Sequence, residues 1–181
     1  MAKAAKPTKK SKKSAKEEKA PEIAVVGEVY DEVVADVIHA LLDIPEGEEA
    51  TIYIDSSGGS VYSAMAIATL IRLRKIRATG VVLSECSSAA ILIFAACERR
   101  FVTPRSVFLF HRVKWRSEKD MRREEAINWA QHFQWLEIEI DKYQAKLFGT
   151  GEDKVHEWIE QGRFVLGTEL AELGLAEILD P

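Results

Sequence analysis

Short apolar segments that alternate with segments of helical periodicity constrain the fold of this chain more than any other feature. Apolar runs typical of buried strands occupy 22–27, 51–55 and 78–83. Between the first two, apolar residues recur at helical spacing after Asp31, which we expect to cap that helix. Strands that alternate with helices favour a largely parallel sheet with right-handed crossovers. The sequence therefore predicts an α/β fold.

The remainder of the chain continues this alternation. A second helix is expected after residue 60, with Val61, Met65, Ile67, Ala68 and Ile71 facing inward. The later elements that the pattern predicts are a buried helix (88–96), strands (101–103 and 106–111), a long helix (124–148), a short helix capped by Thr168 and stopped by Gly174, and a strand (176–179).

Charge is distributed unevenly along the 181 residues. Residues 1–20 carry eight lysines against Glu17 and Glu18, a net charge of +6, whereas the rest of the chain has a net charge of −10. The Lys-rich arm has no apolar face, so we expect 1–20 to be disordered and 21–181 to form a single domain. The arm is interpreted as a solvated tail, with a weak contact to nucleic acid or an acidic partner, or a removable leader, as alternatives. The acidic body argues against nucleic acid as the main substrate.

Composition also indicates the cellular location of the protein and whether it binds a metal or a cofactor. The sequence contains no run of about eighteen apolar residues, so no segment is expected to span a membrane. Cys86 and Cys97 lie in apolar surroundings and form no CxxC pair, which favours a reducing, cytoplasmic location. The four histidines show no spacing typical of metal ligands. We therefore predict no metal and no cofactor.

The segment Ser-Ser-Gly-Gly-Ser at 56–60 follows a predicted strand and precedes a predicted helix. Two glycines allow close backbone approach, and free N–H groups at a helix start can bind an anion, a phosphate or a developing oxyanion. The segment has neither the lysine of a P-loop nor the GxGxxG pattern of a dinucleotide site. A plain tight turn is an equally good interpretation of this loop.

Ser88 and His111 are the side chains that could carry nucleophilic chemistry. Ser88 lies at a predicted strand-to-helix junction before small residues, which can expose its hydroxyl and direct the N–H of Ala89 to the same point. His111 ends an apolar strand, from which an imidazole can reach a neighbouring element. Each residue taken alone is equally compatible with a structural role, Ser88 as a helix cap and His111 as a partly buried imidazole.

The order of these motifs resembles the proteolytic subunits of the ATP-dependent Clp protease family. Three segments carry the resemblance: IYIDSSGGSVYSAMAI, SSAAILIFAAC and RFVTPRSVFLFH. The resemblance implies the layered ββα superfold that Clp proteases share with crotonases, with a protruding handle helix. It also implies Ser88 as nucleophile, His111 as general base, and the N–H groups of Gly59 and Ala89 as oxyanion donors.

Two departures from the family pattern concern the site. Gly162 occupies the position of the family's third triad residue, an aspartate, and glycine cannot orient an imidazole. Glu160, another carboxylate or a backbone carbonyl could take that role, or a Ser-His dyad could operate alone. The segment Arg112-Val113-Lys114-Trp115-Arg116 replaces the glycine-rich strand that the family uses to pair with substrate and with the opposite ring.

The resemblance implies a serine-type endopeptidase that acts on unfolded protein or peptides. It further implies homo-oligomeric, heptameric rings that stack in pairs as a tetradecamer. It also implies an AAA+ unfoldase as partner, since the chain has no nucleotide-binding motif. The main alternative is a weak or inactive ring subunit that supports an active paralogue. An acyl-CoA-processing enzyme of the same superfold, and a Ser-Lys peptidase using Lys75 or Lys114, are lesser alternatives.

Overall fold

The computed structural model describes residues 19–117 and 120–180. The predicted disordered arm lies, apart from Lys19 and Ala20, outside the described residues. In chain order the elements are β1 (Glu22–Val29), α1 (Asp31–Asp43), β2 (Glu49–Gly59), α2 (Val61–Leu73), β3 (Arg77–Cys86), α3 (Ala90–Ala96), β4 (Arg99–Val102), β5 (Val107–Leu109), α4 (Arg123–Phe148), α5 (Glu152–Gln161), β6 (Phe164–Leu166), α6 (Gly167–Glu172) and β7 (Glu177–Ile178).

The main sheet has the strand order β1-β2-β3-β4-β7, and every neighbouring pair in it is parallel. A second layer begins where β5 pairs with the end of β3 and continues as the antiparallel pair β5–β6. This arrangement confirms the predicted α/β class with a parallel sheet. The carboxyl ends of β2 and β3 lie side by side, which is the edge where open α/β sheets bind ligands.

Helix α3 forms the centre of the core. All seven of its residues are buried, because the segment carries no polar side chain that would have to reach water. The Phe94 ring packs 5.4 Å from Phe108 of β5 and 6.4 Å from Phe148 of α4, measured between ring centroids. Burying one such aromatic side chain stabilises the fold by about 1.5–3 kcal/mol. The packing fixes the position of the residues that lead into α3.

Several predicted boundaries are wrong. β2 continues to Gly59, so most of the 56–60 segment is extended strand and not a tight loop. α1 begins at Asp31 itself, and Tyr30 occupies the cap position without a side-chain hydrogen bond. α6 begins at Gly167, so Thr168 lies inside the helix; the Leu166 N–H instead donates to Glu169 Oε1 at 3.2 Å.

Two elements near the C-terminus were not predicted, α5 and β6. In α5 only Val155, Trp158 and Ile159 are buried, at the spacing of one helical face, while most of the other side chains are charged. Three apolar positions in a charged segment give a weak periodic signal. Among the described residues, no helix combines the length and the apolar character needed to cross a membrane.

Candidate active site

The end of β2 passes directly against the residues that follow β3. A Cβ atom added to Gly58 would lie 2.7 Å from Ser88 Cβ and 2.7 Å from the Ser87 carbonyl oxygen. A Cβ atom on Gly59 would lie 2.8 Å from the backbone nitrogen of Val29. Both glycines have positive φ, 98° and 147°. The two glycines are thus required for close backbone approach, which is one of the uses predicted for this segment.

Ser88 lies in the turn between β3 and α3 with φ at 54°, a left-handed conformation that is uncommon for residues other than glycine. Such a conformation costs about 1–3 kcal/mol, so the surroundings must hold it. The Ser88 N–H donates to the Leu109 carbonyl at 2.9 Å, and the Ser87 hydroxyl accepts from the Leu109 N–H at 3.2 Å. β5 therefore holds the strained turn that presents the Ser88 side chain.

The backbone N–H of Ala89 has no hydrogen-bond partner among the described residues, since α3 begins one residue later. It lies beside the β2 glycines: a Cβ on Gly58 would be 3.0 Å from the Ala89 nitrogen. On the β2 side, Ser60 rather than Gly59 donates to the Val29 carbonyl. Gly59 and Ala89, the residues expected to supply the oxyanion donors, both line the cavity described below.

His111 lies two residues beyond β5 and is partly exposed. The preceding residue is firmly held, since the Phe110 N–H donates to the Arg163 carbonyl at 3.0 Å and its ring packs 4.9 Å from Trp158. The Nδ1 atom of His111 lies 2.6 Å from the Arg112 carbonyl oxygen. A carbonyl oxygen only accepts, so Nδ1 is the donor in this contact.

Gly162 ends α5 as its left-handed cap, with φ at 60° and ψ at 47°. The antiparallel register of β5 and β6 pairs Leu109 with Phe164, and the Phe110–Arg163 hydrogen bond extends it by one residue. Beyond this bond the ladder ends, because the Arg163 N–H donates to the Trp158 carbonyl and Gly162 belongs to the cap of α5. Gly162, at the position that carries an aspartate in the family pattern, bears no side chain and ends the helix.

Glu160 does not take over the role of that aspartate by direct contact. Its carboxylate forms ion pairs with Arg112 Nη2 and, at 3.5 Å, with His156 Nε2. The His111 ring instead bonds the Arg112 carbonyl. Of the acceptors that the sequence left open, the structure has the backbone carbonyl.

A cavity of about 520 Å³ joins these residues. Its lining includes Ser88, His111, Gly59 and Ala89. The apolar part of its wall comes from α2, α3, α4 and α5, through Val61, Ile91, Leu92, Leu136, Ile140 and Ile159. The fold thus brings the predicted nucleophile, base and oxyanion donors to one concave surface, the form in which most ligand sites occur.

Sequence reasoning missed several residues of this cavity. Glu137, Asp141 and the buried Gln144 reach it from α4, at charged or polar positions that no motif distinguishes. Lys114 also lines the cavity, whereas Lys75 forms an ion pair with Glu46 and does not line it. Of the two lysines considered for a Ser-Lys mechanism, only Lys114 lines the same cavity as Ser88.

The segment that follows His111 has no regular structure. Residues 112–117 belong to no helix or strand, in agreement with the absence of the family's glycine-rich strand from the sequence. Trp115 packs on α4 instead, with its ring 6.0 Å from Trp129 and 5.5 Å from Phe133. The Trp115 ring thus holds this segment against α4.

A strained serine at a strand-to-helix turn, with a histidine and an unpaired backbone N–H group on the same cavity, is typical of serine hydrolases. The comparisons with known proteins give the family. A sequence model described as Clp protease matches residues 8–180. The ATP-dependent Clp protease proteolytic subunit 2 of Treponema denticola is 31% identical over 160 residues, which cover 85% of this chain and 78% of that protein.

The ATP-dependent Clp protease proteolytic subunit of Pleurastrum terricola is 24% identical over 162 residues, covering 87% of this chain and 82% of that protein. The family match covers most of the chain, and the first relative exceeds 30% identity over most of its length. The chain belongs to the Clp protease family, which confirms the resemblance found in the sequence.

Proposed function

We propose that this chain is the proteolytic subunit of a Clp-type protease and a serine-type endopeptidase, with Ser88 as nucleophile and His111 as general base. The observation that carries the proposal is the strained Ser88 turn on the same cavity as His111 and the Ala89 N–H. Holding a serine in left-handed backbone is unnecessary for packing, since a glycine would adopt that conformation without strain. The strain is understandable if the hydroxyl must be presented to a substrate.

The reaction follows from the groups at the cavity. Ser88 Oγ attacks the scissile carbonyl carbon while His111 Nε2 takes the hydroxyl proton. The N–H groups of Gly59 and Ala89 stabilise the oxyanion of the tetrahedral intermediate. The C–N bond then breaks, and Nε2 protonates the leaving amine. Water, deprotonated by the same imidazole, attacks the Ser88 ester and releases the new carboxyl group.

The Arg112 carbonyl supports His111 in this mechanism where the family has a carboxylate. Its hydrogen bond fixes the tautomer of the ring, but a neutral oxygen stabilises the imidazolium less than a carboxylate does. Loss of the orienting charge in a triad lowers kcat by about 10⁴, while the oxyanion donors and substrate binding retain substantial catalysis. We expect a slow peptidase.

A different observation supports a second candidate function, a ring subunit with little or no activity that assists an active paralogue. Gly162, which has no side chain to bond His111, motivates it. In both cases family membership favours oligomeric rings and association with a Clp ATPase. An AAA+ unfoldase as partner, unfolded protein as substrate, stacked heptameric rings and a cytoplasmic location are part of the proposal.

Helix α4 supplies the surface for ring contacts in this proposal. Its core side is buried through Leu136 and Ile140, whereas Trp129 and Trp135 are 41% and 56% exposed. Large exposed aromatic side chains on one helix are typical of interaction sites. The long helix is therefore proposed to act as the handle that the resemblance implies.

A fluorophosphonate probe, which reacts with activated serines, separates the two candidates. We expect labelling of the wild-type protein, none in Ser88→Ala, and a strong reduction in His111→Gln, with hydrolysis of fluorogenic peptides following the same order. Light scattering on each variant serves as the control that the oligomer is intact. A folded wild-type oligomer that is neither labelled nor active on peptides would support the ring-subunit role instead.

A further inference from the structure

Arg112 is attached to the site in two ways. Its carbonyl oxygen accepts the hydrogen bond from His111 Nδ1 at 2.6 Å. Its guanidinium, at the other end of the same residue, lies between two carboxylates of the helices that flank the cavity. The residue therefore connects the imidazole to α4 and α5, and nothing in the proposed reaction has so far used its side chain.

The guanidinium contacts are specific. Arg112 Nη1 donates to Glu137 Oε2 of α4 at 3.0 Å, and Nη2 pairs with Glu160 Oε1 of α5. Glu160 also contacts His156 Nε2 at 3.5 Å, and His156 Nδ1 lies 3.0 Å from Asp141 Oδ2 on α4. Arginine suits such a site because its planar donors can bond two carboxylates at once. We call Arg112, Glu137 and Glu160 the arginine clamp.

The backbone around Arg112 has little other support. The ladder between β5 and β6 ends with the Phe110–Arg163 hydrogen bond, and the described residues 111–117 have no further backbone–backbone hydrogen bond. Without the clamp, the Arg112 carbonyl is free to rotate away from His111. An imidazole that loses its acceptor samples both tautomers and several ring orientations.

We infer that the arginine clamp positions His111, holding the Arg112 carbonyl against Nδ1 and so compensating for the missing acid at position 162. This inference rests on the proposed function for its kinetic consequences, although the positioning itself is a property of the ring. Arg112 is a positioning residue here, because its side chain acts on His111 only through the backbone carbonyl.

The test compares Arg112→Gln with Arg116→Gln, which removes the same charge four residues further along the same irregular segment. In full-length protein we expect Arg112→Gln to lower kcat on a fluorogenic peptide about tenfold with KM changed less than twofold. Arg116→Gln is expected to have no effect. Glu137→Gln combined with Glu160→Gln should reproduce the loss while leaving Arg112 in place, which covers the case that Arg112→Gln fails to fold.

A carboxylate opposite His111 should make the clamp dispensable. In a Gly162→Asp background we therefore expect Arg112→Gln to lower kcat less than twofold. An equal loss in both backgrounds would show that Arg112 serves folding or substrate binding and would overturn the inference, as would the absence of any loss in the wild-type background.

The spectrum of ¹⁵N-labelled histidine tests the positioning without turnover. His111, assigned by its absence in His111→Gln, is expected as the Nδ1–H tautomer in the wild type and as a tautomer mixture in Arg112→Gln. An unchanged tautomer in Arg112→Gln would overturn the clamp. If fluorophosphonate labels no variant but the tautomer changes as expected, the peptidase proposal fails and the positioning stands.

Discussion

Introducing an aspartate at position 162 is the most informative perturbation of this protein. Extending the β5–β6 register by one residue beyond the Phe110–Arg163 hydrogen bond would set position 162 opposite His111. Opposite Cβ atoms in a strand pair are about 4.5–5.5 Å apart, a distance from which an aspartate carboxylate can reach Nδ1 of the imidazole.

The structure also indicates what the substitution costs. No atom lies within 4 Å of a Cβ built on Gly162, so Gly162→Asp creates no clash. Its φ of 60° and ψ of 47° are the left-handed conformation, in which an L-residue costs about 1–2 kcal/mol and aspartate less than most. We expect the free energy of unfolding to fall by about 1 kcal/mol.

The expected gain is larger than this cost. An orienting carboxylate is worth up to about 10⁴ in kcat, and the Arg112 carbonyl already supplies part of the effect. We therefore expect kcat/KM on a fluorogenic peptide to rise between about 10-fold and 1,000-fold, equivalent to roughly 1.4–4 kcal/mol of transition-state stabilisation.

Gly162→Asn is the matched control, because asparagine has the same size and tolerates the same backbone but carries no charge. Ser88→Ala combined with Gly162→Asp controls for any hydrolysis that does not pass through Ser88. If Gly162→Asp is no faster than Gly162→Asn, either residue 162 does not contact the imidazole or His111 is not the base, and the assignment of the site is refuted.

Three further predictions concern packing and ionisation. Gly58→Ala places a Cβ 2.7 Å from Ser88 Cβ, so it should abolish fluorophosphonate labelling and lower the free energy of unfolding, measured by denaturant titration, by about 1–3 kcal/mol. Gly151→Ala, with open space at its Cβ, should change neither the labelling nor the free energy of unfolding to that extent. Burial raises the pKa of the Cys97 thiol to about 12, against a weaker opposing effect of Arg100, so iodoacetamide at pH 8 should modify it only after denaturation. The unfolded thiol ionises near pH 9 while the folded one keeps its proton, so the Cys97 contribution to the free energy of unfolding should decrease as pH rises from about 9 to 12. Denaturant titrations over this pH range that show no such decrease would contradict the prediction. Gln144→Met should raise the melting temperature by a few degrees, because it removes a buried Nε2 that has no hydrogen-bond partner among the described residues. Gln134→Met, on the exposed face of α4, should leave the melting temperature unchanged. An equal or lower melting temperature in Gln144→Met would show that the amide is satisfied, for example by water.

The fold was predictable where single elements carry strong patterns. The apolar runs that became β2 and β3 and the fully apolar α3 predict a parallel sheet with a buried helix, as the structure has it. Boundaries set by tertiary contacts were not predictable. β2 extends through its two glycines because β1 pairs with them as far as Gly59, and no local propensity favours glycine in a strand.

In the candidate site, too, some features were predictable from the sequence and others depend on tertiary contacts. The order of motifs, through the resemblance to the Clp protease family, predicted that Ser88, His111 and the glycine loop belong to one site, and all three line the same cavity. The strained φ of Ser88 is held by hydrogen bonds from β5, which is distant from it in sequence. The arginine clamp joins three charged residues far apart along a chain that is 30% charged, so no spacing distinguishes them.

The conformation of Gly162 is relevant to whether the absence of the family's aspartate at this position implies the absence of peptidase activity. The residue ends α5 in a conformation that glycine adopts most easily, so replacing an aspartate there leaves the fold intact and can even stabilise it. The residues around Ser88 show no corresponding relaxation: the serine keeps its left-handed backbone, and Gly58 keeps the close approach that leaves no room for a side chain. A subunit with a purely structural role would gain stability from glycine at position 88, because that substitution removes strain and needs no other change. The strain at Ser88, beside a glycine at position 162 that costs the fold nothing, supports the proposal that the site performs its reaction with a different support for His111.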